Sequence, residues 1–139
     1  MSVEENKALI GRLYDEVFAR WNLAAVDELI GHEFVGHEMP TETPRGPVGF
    51  KQFYGRLRSA FPDLRYSVDD VIAENDKVVV RWTWTCTHKG EFMGVAPTGR
   101  QATVTGMAIY RIAGGKCVER WVELGLLDLL RQLGGAAQP

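Results

Sequence analysis

Four side chains of this sequence carry groups that can transfer a proton or donate a hydrogen bond, and each lies beside a run of apolar residues. They are a phenol, two imidazoles and a carboxyl group: Tyr14, His37, His88 and Glu123. A histidine has a pKa near neutrality and can exchange a proton at physiological pH. A carboxyl group beside a bulky ring holds its proton more readily when it is buried. These residue types predict general acid–base chemistry, with the phenol as donor to a substrate carbonyl.

Each of the four also has an ordinary structural interpretation. Tyr14 flanks the apolar stripe of a predicted helix, where its hydroxyl could lie in water. His37 lies in a loop-like segment and His88 near the end of a predicted strand, so both could be solvated. Glu123 follows Trp121 by two residues, but successive strand residues point to opposite faces. It reaches a pocket only where a bulge or the strand end redirects it. Glu38 is interpreted as solvated, and Glu119 and Arg120 as outward or interface residues.

A second set of residues could line a hydrophobic ligand site, because such sites are mostly apolar with a few convergent polar groups. Its members are large and apolar or aromatic: Phe53, Trp82, Trp84, Met107, Tyr110 and Trp121. Core packing explains each of them equally well. The sequence therefore predicts a pocket for a small hydrophobic ligand without deciding which rings face it.

Charge and cysteine content argue against other classes of site. The net charge is −2 and the basic residues are scattered, so no nucleic-acid footprint is predicted. Cys86 and Cys117 are predicted to be buried free thiols of a reducing compartment, and no spacing of His and Cys predicts a metal site. No apolar run approaches the roughly 20 residues of a spanning helix, and the first residues carry acids rather than a signal-peptide pattern. We therefore expect a cytoplasmic protein without membrane contact.

Three helices are predicted to come first. Apolar residues recur every four positions over residues 4–21, which predicts a long amphipathic helix. Asn22 is a suitable N-cap for a second helix ending near Gly31, and residues 50–61 have helical spacing. Residues 32–49 are rich in Pro, Gly and Thr and are predicted to be a short extended piece and a loop.

Beyond residue 62 the apolar period changes from about 3.6 to 2, which predicts strands. The predicted strands cover residues 65–73, 77–89, 101–113 and 116–123, and a short apolar helix follows over 124–135. Asn75-Asp76 and Gly114-Gly115 suit tight hairpins, so an antiparallel meander is expected. Helices followed by such a sheet predict an α+β fold, with helices on one face of the sheet. A chain of 139 residues is expected to form one domain over residues 1–139.

The two faces of the predicted strand 77–89 differ. One face is large and apolar and carries Val78, Val80, Trp82, Trp84, Cys86 and His88. The other face mixes threonines with Val79 and Arg81. A mixed outer face of this kind suits pairing with a second copy of the chain, so we expect a homodimer.

Three segments, in this order and spacing, resemble the SnoaL-like or ester cyclase branch of the nuclear-transport-factor-two-like superfamily. They are GPVGFKQFYGRLRSAFPDL, DKVVVRWTWTCTHKGEFMGVAPTGRQATVTGMAIYRIAGGKCVERW and LLRQLG. The resemblance implies a cone-shaped α+β barrel, in which a curved antiparallel sheet wraps around the N-terminal helices and encloses an apolar pocket. It also implies frequent homodimers and no cofactor. Characterised members close rings on polyketide esters by proton abstraction and an intramolecular aldol step, using an Asp with a His near it.

The sequence departs from the family pattern where that dyad is expected. Members commonly have a His two residues after the glycine that corresponds to Gly106 and an acid directly after the tryptophan that corresponds to Trp121. Here Ala108 and Val122 stand at those positions, and Gly125 replaces another frequent acid. The usual dyad is therefore expected to be absent.

Three functions stay open at this point. The first is a cyclase, or a ketosteroid-isomerase-like proton-transfer enzyme, whose base has moved; Glu123 is the nearest substitute. The second is a cyclase for a pericyclic closure such as a [4+2] addition, which needs a folded substrate rather than a base. The third is a non-catalytic small-molecule-binding protein, because a fold alone does not fix a function.

Overall fold

The computed structural model describes residues 2–134 and has the predicted α+β order, with helices before the sheet. The helices are α1 (Val3–Arg12), a π-helical segment (Leu13–Phe18), α2 (Leu23–Leu29), α3 (Gly46–Ala60) and α4 (Leu126–Gln132). The strands are β1 (Ile30–Gly36), β2 (Arg65–Glu74), β3 (Lys77–Thr87), β4 (Gln101–Ala113) and β5 (Lys116–Leu124).

The first predicted helix changes its geometry half-way. A capping box at Ser2 and Glu5 starts α1, because each side chain accepts a hydrogen bond from the other residue's backbone N–H. From Leu13 the backbone is π-helical, and Ala19 N–H donates to the Tyr14 carbonyl oxygen five residues back, over 2.9 Å. The uniform helix predicted over residues 4–21 is therefore wrong in its second half. Apolar spacing does not signal a π-helical turn, which accommodates an extra residue locally.

The sheet has the strand order β1-β5-β4-β3-β2. Strands β2 to β5 form the predicted antiparallel meander, with positive φ at the Asn75 and Gly114 turns. Strand β1 pairs in parallel with β5, so the expectation of a purely antiparallel sheet fails at this strand. Turn signals reveal pairing between sequence neighbours only, whereas parallel pairing needs a long crossover. The sheet is mixed and is not closed.

Helices and loops cover the face of the sheet predicted to be apolar. On β3 and just beyond it, the side chains of this inner face are all buried: Val78, Val80, Trp82, Trp84, Cys86 and His88. Cys86 and Cys117 are buried and free, as predicted. The alternation predicted from the sequence is confirmed, and it places two tryptophans two residues apart under the helices.

The last helix, α4, is joined to strand β4 by the side chain of Gln132. The Gln132 side chain accepts a hydrogen bond from Thr103 N–H and donates one to the Thr103 carbonyl oxygen, each over 2.8 Å. Helix α4 lies inside the predicted run 124–135, of which Gly135 falls outside the described residues. Within residues 2–134, no helix is both long enough and apolar enough to cross a membrane.

Candidate functional site

A cavity of about 560 Å³ lies against the inner face of the sheet. Its walls come from the turn after β1, from α3, from β2, β3 and β5, from the loop between β3 and β4, and from the start of α4. The lining is mostly apolar and aromatic: Glu38, Met39, Pro40, Phe53, Tyr54, Leu57, Tyr66, Trp82, Trp84, Phe92, Met93, Arg120, Val122, Glu123, Leu124 and Leu126. This is the composition expected of a site for a hydrophobic ligand.

A buried ion pair forms the polar part of the cavity wall. Arg120 Nη1 donates to Glu38 Oε2 over 2.7 Å, and the Tyr54 hydroxyl donates to the same oxygen over 3.1 Å. Arg120 is only 1% exposed. Taking two charges out of water costs free energy that only close pairing and further hydrogen bonds offset. The outward or interface position predicted for Arg120 and the solvation predicted for Glu38 are therefore both wrong.

Strand β1 explains how two residues far apart in the sequence meet. Gly36, its last residue, pairs with Arg120 in the parallel ladder. The next residue, His37, donates its backbone N–H to the Arg120 carbonyl oxygen over 2.9 Å, and Met39 N–H donates to the Gly36 carbonyl oxygen over 3.1 Å. The tight turn closed by these bonds places Glu38 beside the Arg120 side chain.

Aromatic rings hold the guanidinium of Arg120 in place. Its central carbon lies 5.6 Å from the ring centre of Phe18, 5.2 Å from that of Tyr54 and 5.1 Å from that of Tyr110. Cation–π attraction at these distances favours the charged guanidinium over the ring faces. Phe18 belongs to the π-helical segment, so the irregular turn of the first helix supplies part of this enclosure.

Five buried polar atoms of cavity-lining side chains have no hydrogen-bond partner of good geometry among residues 2–134. They are Glu38 Oε1, Tyr66 Oη, Trp82 Nε1, Trp84 Nε1 and Arg120 Nε. Buried polar atoms in proteins are nearly always hydrogen-bonded, and leaving one unpaired costs about 1–3 kcal/mol. All five atoms are almost inaccessible to water. The Trp84 indole also lies close enough to the Tyr66 hydroxyl to oppose, as a hydrogen-bond donor, part of the rise that burial causes in the pKa of that phenol.

The structure places Tyr14 and Tyr110 behind the cavity wall rather than in it. Their hydroxyl oxygens lie 2.8 Å apart, and both side chains are buried. Burial raises the pKa of both phenols, and the nearby charge of Arg120 partly opposes this at Tyr14. Tyr66, which the sequence did not single out, does line the cavity, and burial raises its pKa well above the usual value.

Three further predicted site residues lie on the outer face of the sheet. His37 Nε2 lies 2.7 Å from Glu119 Oε2, and its ring stacks on Trp121 with centroids 5.2 Å apart. Met107 is exposed on β4. The hydrogen bonds from His37 and Arg111 lower the pKa of the Glu119 carboxyl group. His37, Met107 and Trp121 are thus separated from the cavity by the sheet.

His88 is buried at the end of β3 and also lies outside the cavity lining. Its Nδ1 accepts a hydrogen bond from Thr98 N–H over 3.3 Å and lies 3.0 Å from Thr98 Oγ1. Its ring packs against Phe61 with centroids 5.7 Å apart. The solvated alternative considered from the sequence is wrong for this residue. His88 links β3 to the loop that follows.

Glu123 lies at the rim of the cavity. It pairs with Met107 on the outer face, as strand alternation requires, but it also borders the cavity because β5 ends one residue later. Ala108 and Val122, where the resemblance implies a His and an acid, are cross-strand partners; Ala108 is buried and Val122 lines the cavity. The carboxylate deep in the wall comes instead from Glu38 in the turn after β1.

The sequence-predicted residues that the structure brings together at the cavity are Phe53, Trp82, Trp84 and Glu123. The two indoles stack with centroids 5.4 Å apart and an angle of 16° between their planes. Sequence reasoning missed Glu38, Tyr54, Tyr66 and Arg120. For Arg120 a signal existed: it lies two residues before Val122 and therefore on the same strand face. In the part of the chain that the structure describes, no three His, Cys, Asp or Glu side chains are grouped to hold a metal ion.

Comparison with known proteins gives one family. Residues 8–133 match the family model described as SnoaL-like polyketide cyclase. No curated protein shows significant similarity to the chain.

Several solved structures share the fold over nearly the whole chain. IdmH of Streptomyces antibioticus, a candidate polyketide cyclase, is 34% identical over 93% of this chain and 98% of its own, with a TM-score of 0.79. AclR of Streptomyces galilaeus, a candidate hydroxylase, is 30% identical over 99% of this chain and 86% of its own, with a TM-score of 0.82. TsrD of Streptomyces laurentii is 26% identical over 98% of this chain and 99% of its own, with a TM-score of 0.88.

Proposed function

Because this chain belongs to the SnoaL-like polyketide cyclase family, we propose that it closes a ring on a hydrophobic polyketide-type substrate, with the Glu38 carboxylate as base. One observation carries the proposal. Glu38 Oε2 is held by Arg120 and Tyr54, whereas Glu38 Oε1 is buried in the cavity wall without a partner among the described residues. A general base must be held within hydrogen-bond reach of the proton that it removes. The clamped carboxylate meets the need for a fixed position.

The proposed reaction is an intramolecular aldol closure. Glu38 removes a proton from a carbon next to a substrate carbonyl, and the electron pair of the broken C–H bond forms an enolate. The enolate carbon attacks a second carbonyl of the same chain, so one C–C bond forms and that carbonyl becomes an alkoxide. The alkoxide takes the proton back from Glu38. Atoms and electrons balance within one substrate, so the reaction as proposed uses no cofactor.

Arg120 would stabilise the charge that develops in this reaction. Before proton transfer the guanidinium faces the Glu38 carboxylate at 2.7 Å. Once Glu38 holds the proton, the positive charge of Arg120 is no longer compensated, while the substrate has become an enolate. A fixed cation in a dry site attracts that enolate without any reorganisation of solvent, which is the usual basis of electrostatic catalysis.

A pericyclic closure is the second candidate, and a different observation favours it. Val122 makes the wall apolar where the acid of the family dyad is expected, with buried Ala108 as its cross-strand partner, and the stacked indoles of Trp82 and Trp84 give the cavity an aromatic side. Such a wall could hold a polyene in a folded, reactive shape without proton transfer. Glu38 and Arg120 would then only position a polar group of the substrate.

Replacement of Glu38 by Gln separates the two chemistries. For the aldol closure, Glu38→Gln should lower kcat by about a hundredfold or more, within the usual contribution of a general base. The matched control is Glu119→Gln, which changes a carboxylate paired with Arg111 and His37 on the outer face. The measurement is turnover of linear β-keto thioesters to products of unchanged mass, with the products identified by NMR.

The outcomes point to different functions. Wild-type turnover by Glu38→Gln would remove the aldol proposal, and a rate that is also independent of pH would favour pericyclic closure of linear polyenes. Double-bond migration without ring closure would indicate an isomerase. Tight binding without turnover of either substrate class would indicate a binding protein.

We also propose that the outer face of the sheet is the homodimer contact. Four apolar side chains form one row across four strands of this face, in the register Ile72–Val79–Ile109–Trp121. A row of this kind suits self-complementary pairing about a two-fold axis. Sedimentation equilibrium of the protein and of its Ile109→Asp variant tests this: a monomeric wild-type protein would remove the proposal, and a monomeric variant would support it.

A further inference from the structure

The phenol of Tyr14 is a buried polar group to which the proposed reaction assigns no role. Tyr14 lies behind the cavity wall and is not part of the cavity lining. Its hydroxyl oxygen lies 2.8 Å from that of Tyr110, whose side chain is fully buried. A polar group so far from water needs hydrogen-bond partners, and those partners indicate what the phenol does.

Tyr14 and Arg120 share two aromatic neighbours. The Tyr14 ring meets that of Phe18 edge-on, with centroids 5.0 Å apart, and that of Tyr110 with centroids 6.2 Å apart. The central carbon of the Arg120 guanidinium lies 5.6 Å and 5.1 Å from the centres of the same two rings. The phenol and the guanidinium therefore belong to one buried cluster.

The charge of Arg120 acts directly on the Tyr14 hydroxyl. Burial raises the pKa of this phenol, and Arg120 opposes part of the rise through its charge and as a hydrogen-bond donor. A guanidinium carries donors only, so the Tyr14 oxygen is the acceptor in this contact. The proton of Tyr14 stays available for the Tyr110 oxygen, 2.8 Å away.

The same guanidinium holds Glu38, with 2.7 Å between Arg120 Nη1 and Glu38 Oε2. Aromatic faces attract a guanidinium but do not fix the direction of its N–H groups, because cation–π attraction depends little on rotation in the plane of the ring. Hydrogen bonds are directional, so an acceptor in addition to Glu38 fixes that direction. Tyr14 supplies such an acceptor from the side of the first helix.

We propose that Tyr14 is a positioning residue, whose hydroxyl oxygen fixes the orientation of the Arg120 guanidinium and thereby that of the Glu38 carboxylate. The inference rests on the proposed function for the role of Glu38 as base, whereas the contact between Tyr14 and Arg120 does not depend on any reaction. The π-helical segment Leu13–Phe18 supplies both Tyr14 and Phe18 to the cluster. Single π-helical turns occur frequently at functional sites.

Rotation of the Arg120 guanidinium about its Nε–Cζ bond tests the inference without turnover. ¹⁵N exchange NMR measures this rate, and the resonances of Arg120 are assigned through its own side-chain carbons. In the wild-type protein Arg120 should rotate at least about tenfold more slowly than the exposed Arg56. Tyr14→Phe should speed the rotation of Arg120 about tenfold, because a hydrogen bond to a charged group is lost while the ring stays.

Tyr110→Phe is the matched control for this measurement. It removes a hydroxyl one hydrogen bond further from Arg120 and keeps the ring that packs against the guanidinium. It should speed the rotation of Arg120 clearly less than Tyr14→Phe does. Wild-type rotation of Arg120 as fast as that of Arg56, an unchanged rate in Tyr14→Phe, or equal effects of the two variants would overturn the inference.

Turnover gives a second readout. Tyr14→Phe should lower kcat by about tenfold and leave KM within about twofold, because the phenol acts through Arg120 and does not line the cavity. Cys86→Ala changes a buried side chain of β3 outside the cavity lining and should leave both constants unchanged, although it removes buried atoms. A raised KM with an unchanged kcat in Tyr14→Phe would overturn the inference.

The outcome is separable from that of the proposed reaction. Unchanged rotation of Arg120 in Tyr14→Phe together with lost turnover in Glu38→Gln would leave the cyclase proposal intact and remove only this inference. Faster rotation in Tyr14→Phe together with full turnover in Glu38→Gln would confirm that Tyr14 orients Arg120 and remove Glu38 as the base.

Discussion

Two glutamates on opposite faces of the sheet are each bound by an arginine and one further side chain. On the inner side Glu38 is bound by Arg120 and Tyr54, and on the outer side Glu119 is bound by Arg111 and His37. The four distances are similar, from 2.7 to 3.1 Å. The surroundings differ. The Arg120 side chain is 2% exposed and that of Arg111 is 36% exposed.

The use of the carboxylate oxygens differs as well. Glu119 binds Arg111 through one carboxylate oxygen and His37 through the other, so both oxygens have a partner. Glu38 receives both hydrogen bonds on Oε2, and its Oε1 has no partner within residues 2–134. The proposed role of Glu38 rests on this difference, because a buried carboxylate oxygen without a partner is the feature that Glu119 lacks. Glu119, although it also pairs with an arginine, has partners on both oxygens and lies at the surface.

The largest expected difference between the two pairs is in stability. Arg120→Met should lower the free energy of unfolding by about 3–5 kcal/mol, because it leaves the Glu38 charge buried without its partner. Arg111→Met should change the unfolding midpoint by little more than the experimental error, because exposed ion pairs contribute little. Urea unfolding at pH 7 measures both.

The double variant Glu38→Gln/Arg120→Met sharpens this prediction. It removes both inner charges together, so it should recover part of the stability lost in Arg120→Met. Equal effects of Arg120→Met and Arg111→Met would contradict the contrast between buried and exposed pairs. A double variant less stable than Arg120→Met alone would also contradict it.

A smaller effect is expected at two neighbouring residues of β4 that face opposite sides. Gly106→Ala should destabilise the protein by about 1–3 kcal/mol, because a Cβ would overlap the Trp82 ring and would lie 2.9 Å from the Glu123 carbonyl oxygen. Thr105→Ala changes an exposed side chain on the outer face and should stay within about 0.5 kcal/mol. Thermal unfolding with tryptophan fluorescence compares them. A Gly106→Ala variant as stable as Thr105→Ala would show that the Trp82 ring is free to move.

The smallest predicted effects are on the pH dependence of stability, and they have opposite signs on the two faces. Inside, burial raises the pKa of the Cys86 thiol to about 11 and that of the Cys117 thiol to about 12, against about 9 when unfolded. A raised pKa means that the unfolded state loses its proton first. The contribution of these two thiols to the free energy of unfolding is therefore fully present below about pH 9. It is lost as the pH rises toward 11 and 12. The double variant Cys86→Ala/Cys117→Ala should show a shallower alkaline decline.

Outside, the direction is reversed. Hydrogen bonds lower the pKa of Glu119 below its usual 4.5, so its contribution is complete above that pH and declines as the pH falls through the lowered value. Glu119→Gln should remove a small part of the loss of stability at acid pH. It should leave the loss of stability at alkaline pH unchanged. Urea midpoints measured from pH 3 to pH 11 test both limbs, and a Glu119→Gln effect confined to the alkaline limb would contradict the assignment.

The fold was predictable where structure is local. Alternation and hairpin residues identified β2 to β5, and the resemblance supplied the sheet-and-cavity plan. Two elements were not predictable in this way. A π-helical turn leaves apolar spacing almost unchanged, and the pairing of β1 with β5 joins residues about 85 positions apart, as in Ile30 with Cys117. Neither leaves a signal within a short window of sequence.

The candidate site shows the same division between local and distant signals. Phe53, Trp82 and Trp84 were identified because periodicity assigns side chains to a face. Glu38 was not, because it lies in a turn, where no periodicity applies. Arg120 was interpreted as outward because charged residues are seldom buried without a partner, and its partner lies 82 residues earlier.

The parallel pairing of β1 with β5 also bears on the order in which the protein folds. The meander β2 to β5 needs only neighbouring contacts, whereas β1 must wait for the last strand, since joining distant segments costs more chain entropy and slows folding. The turn that carries Glu38 depends on that pairing through the hydrogen bond from His37 to Arg120. We therefore expect the ion pair in the cavity to form late, so that a partly folded chain holds most of its sheet but has no organised binding site.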